Sequence, residues 1–147
     1  DELFAEEKPF EEVVEELDKY ADSIGVVFTL KNYDNLIKNG RMSKIVGTVA
    51  SKLNIRVVGD NSPEGDLRVL SKSRGETKAY AKMVEEMERK KDMKDAEVII
   101  SHTNNEKSAK AIAHLIEKKY PDKSIEIKEN GGLNSIYAED EGIIIGF

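Results

Sequence analysis

Apolar residues recur along this chain with two different spacings, and the places where the spacing changes divide it into elements. Behind Pro9, which can open a helix at its first position, Phe10, Val13, Val14, Leu17 and Ala21 follow the 3.6-residue period of a helix with one apolar face. Glu11 and Glu12 stand where the positive end of that helix favours carboxylates. A β-branched and aromatic run, Ile24 to Leu30, then has strand length. Asn32 or Asp34 can start a short helix that stops at the C-cap pair Asn39-Gly40, and a second helix is predicted from about Ser43 to Leu53.

Ile55 to Val58 and Leu67 to Leu70 are two short strands separated by Asp60-Asn61-Ser62-Pro63-Glu64-Gly65-Asp66, whose turn chemistry predicts a hairpin arm. Beyond the arm the pattern becomes regular. Ala79, Tyr80, Met83, Val84 and Met87 mark a helix, Val98 to Ile100 a buried strand, and Ala109, Ile112, Ala113 and Ile116 another helix. Ile125 and Ile127 alternate as in a half-exposed strand, so strand, helix and strand predict a parallel crossover. Gly131-Gly132, a short amphipathic segment Leu133 to Ala138, and a last strand Gly142 to Phe147 close the chain. Three consecutive isoleucines in that strand predict burial on both faces. The expected fold is α/β: a mixed β-sheet covered by helices, with a small β-hairpin arm.

The 147 residues suit one domain, 1–147, with a single core. No segment approaches the roughly 18 consecutive apolar residues of a membrane span. Cysteine is absent, which removes disulfides, thiolate metal sites and thiol nucleophiles together and fits a reducing compartment, so the expected location is cytoplasmic. The acidic amino terminus lacks the pattern of a signal peptide. The chain begins at Asp1 without methionine, as expected of a domain cut from a longer protein.

Charge is placed unevenly. Residues 1–18 hold nine carboxylates against Lys8 alone, and taking that −8 from the total of −6 leaves +2 for the rest. Between Asp34 and Asp60 there is no carboxylate, while Lys38, Arg41, Lys44, Lys52 and Arg56 give that stretch five positive charges. The basic stretch is short and has no interleaved aromatics to stack bases, so no nucleic-acid partner is expected.

Catalytic signatures are scarce: there is no phosphate-binding P-loop, no Gly-x-Gly-x-x-Gly and no Gly-x-Ser-x-Gly elbow. His102 follows a strand and His114 lies within a helix beside core positions, so no metal site and no cofactor are expected. His102 stands in a loop at a strand's carboxyl end, where α/β proteins usually bind ligands. Yet Thr103 and Glu106 have capping-box spacing for the next helix, which explains the stretch without function. Gly131-Gly132 fits an anion cradle or a tight turn equally well.

Asn39 to Thr48 differs because several requirements coincide there. Gly40 permits a tight turn, Arg41 offers a planar fork of donors suited to a carboxylate or phosphate, and Ser43 can cap the following helix or donate to the same anion. Met42, Ile45, Val46 and Val49 supply adaptable apolar surface beside them. On composition alone, a solvated arginine ahead of a core helix is the plainer reading.

The segment Phe28-Thr-Leu-Lys-Asn-Tyr-Asp-Asn-Leu-Ile-Lys-Asn-Gly-Arg-Met-Ser-Lys-Ile-Val-Gly resembles that of DegV-family proteins, in which a strand leads into a leucine-containing helix and then Gly-Gly-Arg-Ile-Ser. Leu53-Asn-Ile-Arg, Ser73-Arg74-Gly75 followed by Lys78-Ala79, and the closing Gly-Ile-Ile-Ile-Gly-Phe are similar to further stretches of that family. The resemblance covers nearly the whole chain, as the carboxy-terminal half of a DegV protein. It implies a bacterial, non-enzymatic protein that holds a long-chain fatty acid between two domains and presents its carboxylate to a fatty-acid kinase. By position Arg41 would meet the carboxylate and Ser43 would assist.

Two departures follow from the same resemblance. The family often has His-Thr-Gly-Pro-Gly where this chain has Tyr137-Ala-Glu-Asp-Glu, so Tyr137 would replace a histidine as donor without bringing charge. Asn39 replaces the first glycine of the pair. The resemblance further implies an amino-terminal domain that would complete the site and that is expected to lie outside this sequence. The isolated domain is expected to bind lipid weakly and to leave an apolar face that favours a homodimer. Two other classes of function remain open: a small-molecule transferase or hydrolase using His102, and an interaction module whose basic face, Lys38 to Arg56, docks a kinase.

Overall fold

The computed structural model describes residues 8–42, 55–62, 66–94 and 96–147. The helices are α1 (Phe10–Ser23), α2 (Asp34–Lys38), α3 (Glu76–Lys90), α4 (Glu106–Lys119) and α5 (Gly132–Ala138). The strands are β1 (Val26–Leu30), β2 (Ile55–Asn61), β3 (Leu67–Arg74), β4 (Val98–His102), β5 (Ile125–Glu129) and β6 (Ile143–Gly146). They form one six-stranded sheet in the order β3-β2-β1-β6-β4-β5. Neighbours are antiparallel except β4 and β5, the parallel pair that the crossover through α4 predicts. The chain is a mixed α/β fold.

The alternation of side chains across a strand divides the apolar residues between the two faces. On one face Val27, Val58, Val98, Ile100, Ile143 and Ile145 meet Met83, Met87, Ile112 and Ile116 of α3 and α4 in the main core. On the other, Phe28, Leu30 and Val57 meet Leu36 of α2, Ala138 of α5 and the buried Tyr33. Ile144 packs against this second cluster while its neighbours Ile143 and Ile145 enter the main core, so the isoleucine run is used on both faces.

The arm is longer than its turn residues predict. β2 and β3 pair from Ile55↔Arg74 to Asn61↔Leu67, with an irregular register between Val58 and Gly59. Asp60 therefore belongs to a strand, and its fully buried carboxylate receives Arg68 at 2.6 Å and Lys90 at 2.7 Å. Burial alone would push this acid up. The hydrogen bonds and charges of Arg68 and Lys90 outweigh it and hold the carboxyl below its usual range.

Pro9 stands one residue ahead of α1, in the capping position, where its carbonyl accepts the Val13 amide at 3.1 Å. The expected packing of this helix is not seen among the described residues. Only Val13 is buried, while Phe10 (76 % exposed), Val14, Leu17 and Tyr20 face outward. The helix predicted over Ser43 to Leu53 lies outside the described residues.

Candidate ligand-binding site

At the carboxyl end of α2, Gly40 takes φ +71°, a left-handed conformation that other residues adopt only at a cost. The Gly40 amide bonds to Ile37 O at 3.1 Å and the Arg41 amide to Leu36 O at 2.8 Å, the paired bonds of a Schellman ending. This is the stop that Asn39-Gly40 predicts. It exposes the Arg41 side chain beside the helix end, while Met42, whose amide also reaches Leu36 O at 3.2 Å, turns back onto the second apolar cluster.

Tyr137 arrives from the other end of the chain. It lies near the end of α5, half-buried against the same cluster that receives Met42. Two hydrogen bonds tie α5 to α2: the Asn35 amide donates to Glu139 Oε1 at 2.7 Å, and Asn35 Nδ2 donates to Ile136 O at 2.8 Å. Leu133 (64 % exposed) and Ile136 (52 % exposed) stand one helical turn apart on α5 and face outward. A cation with no carboxylate partner among the described residues, a tyrosine and outward apolar side chains thus share the α2–α5 side of the sheet, an arrangement suited to an amphipathic anion.

Of the residues singled out from sequence, Arg41, Met42 and Tyr137 are brought to this side, and Ser43, Ile45, Val46 and Val49 lie outside the described residues. Pattern reading missed Leu133 and Ile136 as exposed apolar positions, although their spacing within a short amphipathic segment was the available signal. Tyr33 was also missed. Its buried phenol donates to Leu30 O at 2.7 Å and accepts the Val57 amide at 3.0 Å, joining β1 to β2 beneath α2. Burial pushes its hydroxyl up, only partly offset by the Val57 bond and the nearby Arg56 charge, so it remains a neutral structural group.

Arg56 does not belong to an exposed basic face. Its side chain is 7 % exposed on the main-core side, where it pairs with Glu76 and, at 3.4 Å, with Glu141, which also holds Lys31. Burial of so large a charge requires such partners.

His102 ends β4, buried, and lines an open cavity of about 480 Å³ with Asn104, Asn105, Glu106, Ile127 and Glu129. The predicted capping box is not formed. Asn105 stands at the N-cap position of α4 without a side-chain cap, its amide donating to His102 Nδ1 at 3.3 Å, while the Thr103 hydroxyl accepts from Asn130 at 3.2 Å. The His102 Nδ1 is thus occupied as the acceptor of a backbone amide. Neither Arg41 nor Tyr137 lines this cavity, so His102 stands apart from the α2–α5 site. Among the described residues no three His, Asp or Glu side chains converge to hold a metal, and no helix is long and apolar enough to cross a membrane.

A family model described as an uncharacterised protein of the DegV family matches residues 1–145. A DegV domain-containing protein of Streptococcus pyogenes serotype M3 is 42 % identical over 138 residues, which are 94 % of this chain and 49 % of the relative. The chain thus spans about half the length of the curated relatives it matches. Among solved structures, the fatty acid kinase (Fak) B3 protein of Streptococcus pneumoniae loaded with linoleic acid superposes with TM-score 0.91 at 36 % identity, over 99 % of this chain and 52 % of that one. A DegV family protein from Eubacterium eligens loaded with heptadecanoic acid gives 0.90 at 34 %, over the same shares.

Proposed function

The chain belongs to the DegV family, and from that premise we propose that it binds a long-chain fatty acid without transforming it. The observation that carries this reading is the close structural match, at more than 30 % identity, to two proteins that hold linoleic and heptadecanoic acid. The α2–α5 surface supplies what such a ligand needs. Arg41 meets the carboxylate with a charge-assisted, bidentate pair, and the Tyr137 hydroxyl donates a second, neutral bond. Ser43, two residues on in the sequence, assists. Met42, Ile45, Val46 and Val49, together with Leu133 and Ile136, receive the acyl chain, where each buried methylene contributes about 0.8 kcal/mol.

The site is one side of a cavity that the remainder of a relative-length chain completes, and the bound carboxylate is presented to a fatty-acid kinase in the cytoplasm. The likeness to the fatty acid kinase B3 protein supports that partner. Denaturing mass spectrometry of the natural gene product, purified from bacteria or exposed to oleate, tests the reading: one acyl chain per protein is expected, and none would sink it. Replacing Arg41 with alanine is expected to weaken oleate binding by about 1.5 to 3 kcal/mol in calorimetry, the worth of a hydrogen bond to a charged group. A change within error removes Arg41 from the site.

A further inference from the structure

Glu139 closes α5 with φ +52° and ψ −170°, close to a backbone region that is essentially reserved for glycine. A side chain retained in such a conformation calls for a use, and the structure shows one. Its Oε1 accepts the Asn35 amide at 2.7 Å, an unpaired first-turn donor of α2, whose own N-cap residue Tyr33 makes no side-chain cap. In return the Asn35 side chain donates to Ile136 O at 2.8 Å, a carbonyl in the last turn of α5. Each helix therefore caps the other. Helices of five and seven residues are too short to persist alone, so their geometry depends on such contacts.

The two side chains assigned to the carboxylate hang from this contact. Tyr137 is two residues before Glu139. Arg41 is fixed through its amide to Leu36 O, one residue beyond Asn35. We propose that the reciprocal capping of Glu139 and Asn35 is a positioning device of the ligand site, holding Tyr137 and Arg41 at the separation at which one carboxylate meets both. Neither Glu139 nor Asn35 touches the ligand. This inference rests on the fatty-acid reading for its ligand, and on hydrogen bonds across 104 and 101 positions of sequence for its geometry.

A Glu139→Gly variant separates positioning from stability, because glycine relaxes the backbone while removing the clamp. In the natural gene product its melting temperature is expected to stay within about 2 °C of the parent, while the oleate Kd rises roughly tenfold. Glu139→Gln keeps an acceptor oxygen at the same atom and should recover most of that loss. In an Arg41→Ala background, Glu139→Gly should cost less than about twofold, since the positioned cation is gone. Unchanged affinity in Glu139→Gly, or an equal loss with and without Arg41, overturns the proposal. If the parent protein binds no oleate, the fatty-acid reading fails separately. The clamp is then decided by the Arg41 amide resonance, far from the substitution in sequence, which Glu139→Gly must move in the nitrogen-proton spectrum if the device exists and leave in place if it does not.

Discussion

The two faces of the sheet are built differently. Under α3 and α4 the main core gathers, among the described residues, eighteen buried side chains, several fully enclosed, held by helices of fifteen and fourteen residues. Under α2 and α5, among the described residues, six buried side chains are held by helices of five and seven residues that cap one another. Burial drives the first. The second depends on a few directional bonds, including those of Tyr33, Asn35 and Glu139, and it is the face that carries Arg41 and Tyr137. Ligand sites are commonly drawn from the less stable part of a fold, because a surface already filled by its own core has no room for a guest.

The largest expected effect breaks the first face. Ile100 is fully buried between α3, α4 and the central strands, so Ile100→Ala should lower unfolding free energy by about 2 to 5 kcal/mol in urea titration, through lost transfer energy and the cavity left behind. A loss under 1 kcal/mol would mean that this face is not the stabilising one. Gly142→Ala strikes the second face instead. A Cβ there would lie 2.2 Å from Ala138 O, and backbone at a helix end cannot withdraw as a flexible side chain can. The expected cost is about 1 to 3 kcal/mol, with α5 pushed from α2. Oleate affinity should fall more than stability does, and equal affinity with a displaced α5 would separate the site from the helix.

The smallest effect concerns acid. Asp60 has its carboxyl lowered in the folded protein, so the folded state binds this proton less readily than the unfolded chain. Its contribution is full above the unfolded carboxylate value of about 3.9 and is lost as pH falls through the lower folded value. Asp60→Asn should therefore flatten the acid limb of stability against pH, while oleate binding at neutral pH is unchanged. An acid limb as steep as the parent's would assign acid sensitivity to other carboxylates.

How much of this was legible depended on the range of the interactions. The stop after α2 follows from Asn39-Gly40 alone, because a left-handed residue and the bonds around it involve six neighbouring positions. The main core follows from periodicity, since α3 and α4 each carry an apolar stripe and β4 and β6 carry apolar runs. Other readings failed where a partner far along the chain decided the outcome. Arg56 counts as one more positive charge in the sequence, but Glu76 and Glu141 draw it inside. Thr103 and Glu106 have the spacing of a capping box, but the Gly142 carbonyl and Asn130 claim Thr103, and Asn105 stands at the N-cap position with no side-chain cap. The apolar face of α1 predicts a packed helix, and among the described residues only Val13 is covered.

The sequence by itself determined the described elements, the mixed sheet, the main core and the turn that exposes Arg41, because local conformational preference and periodic burial are encoded within a few residues of one another. Only the tertiary structure decided what stands beside Arg41. Tyr137 reaches that side because β6 pairs with β1 and because Asn35 donates to both Glu139 and Ile136, and no local pattern specifies contacts between groups separated by about a hundred residues.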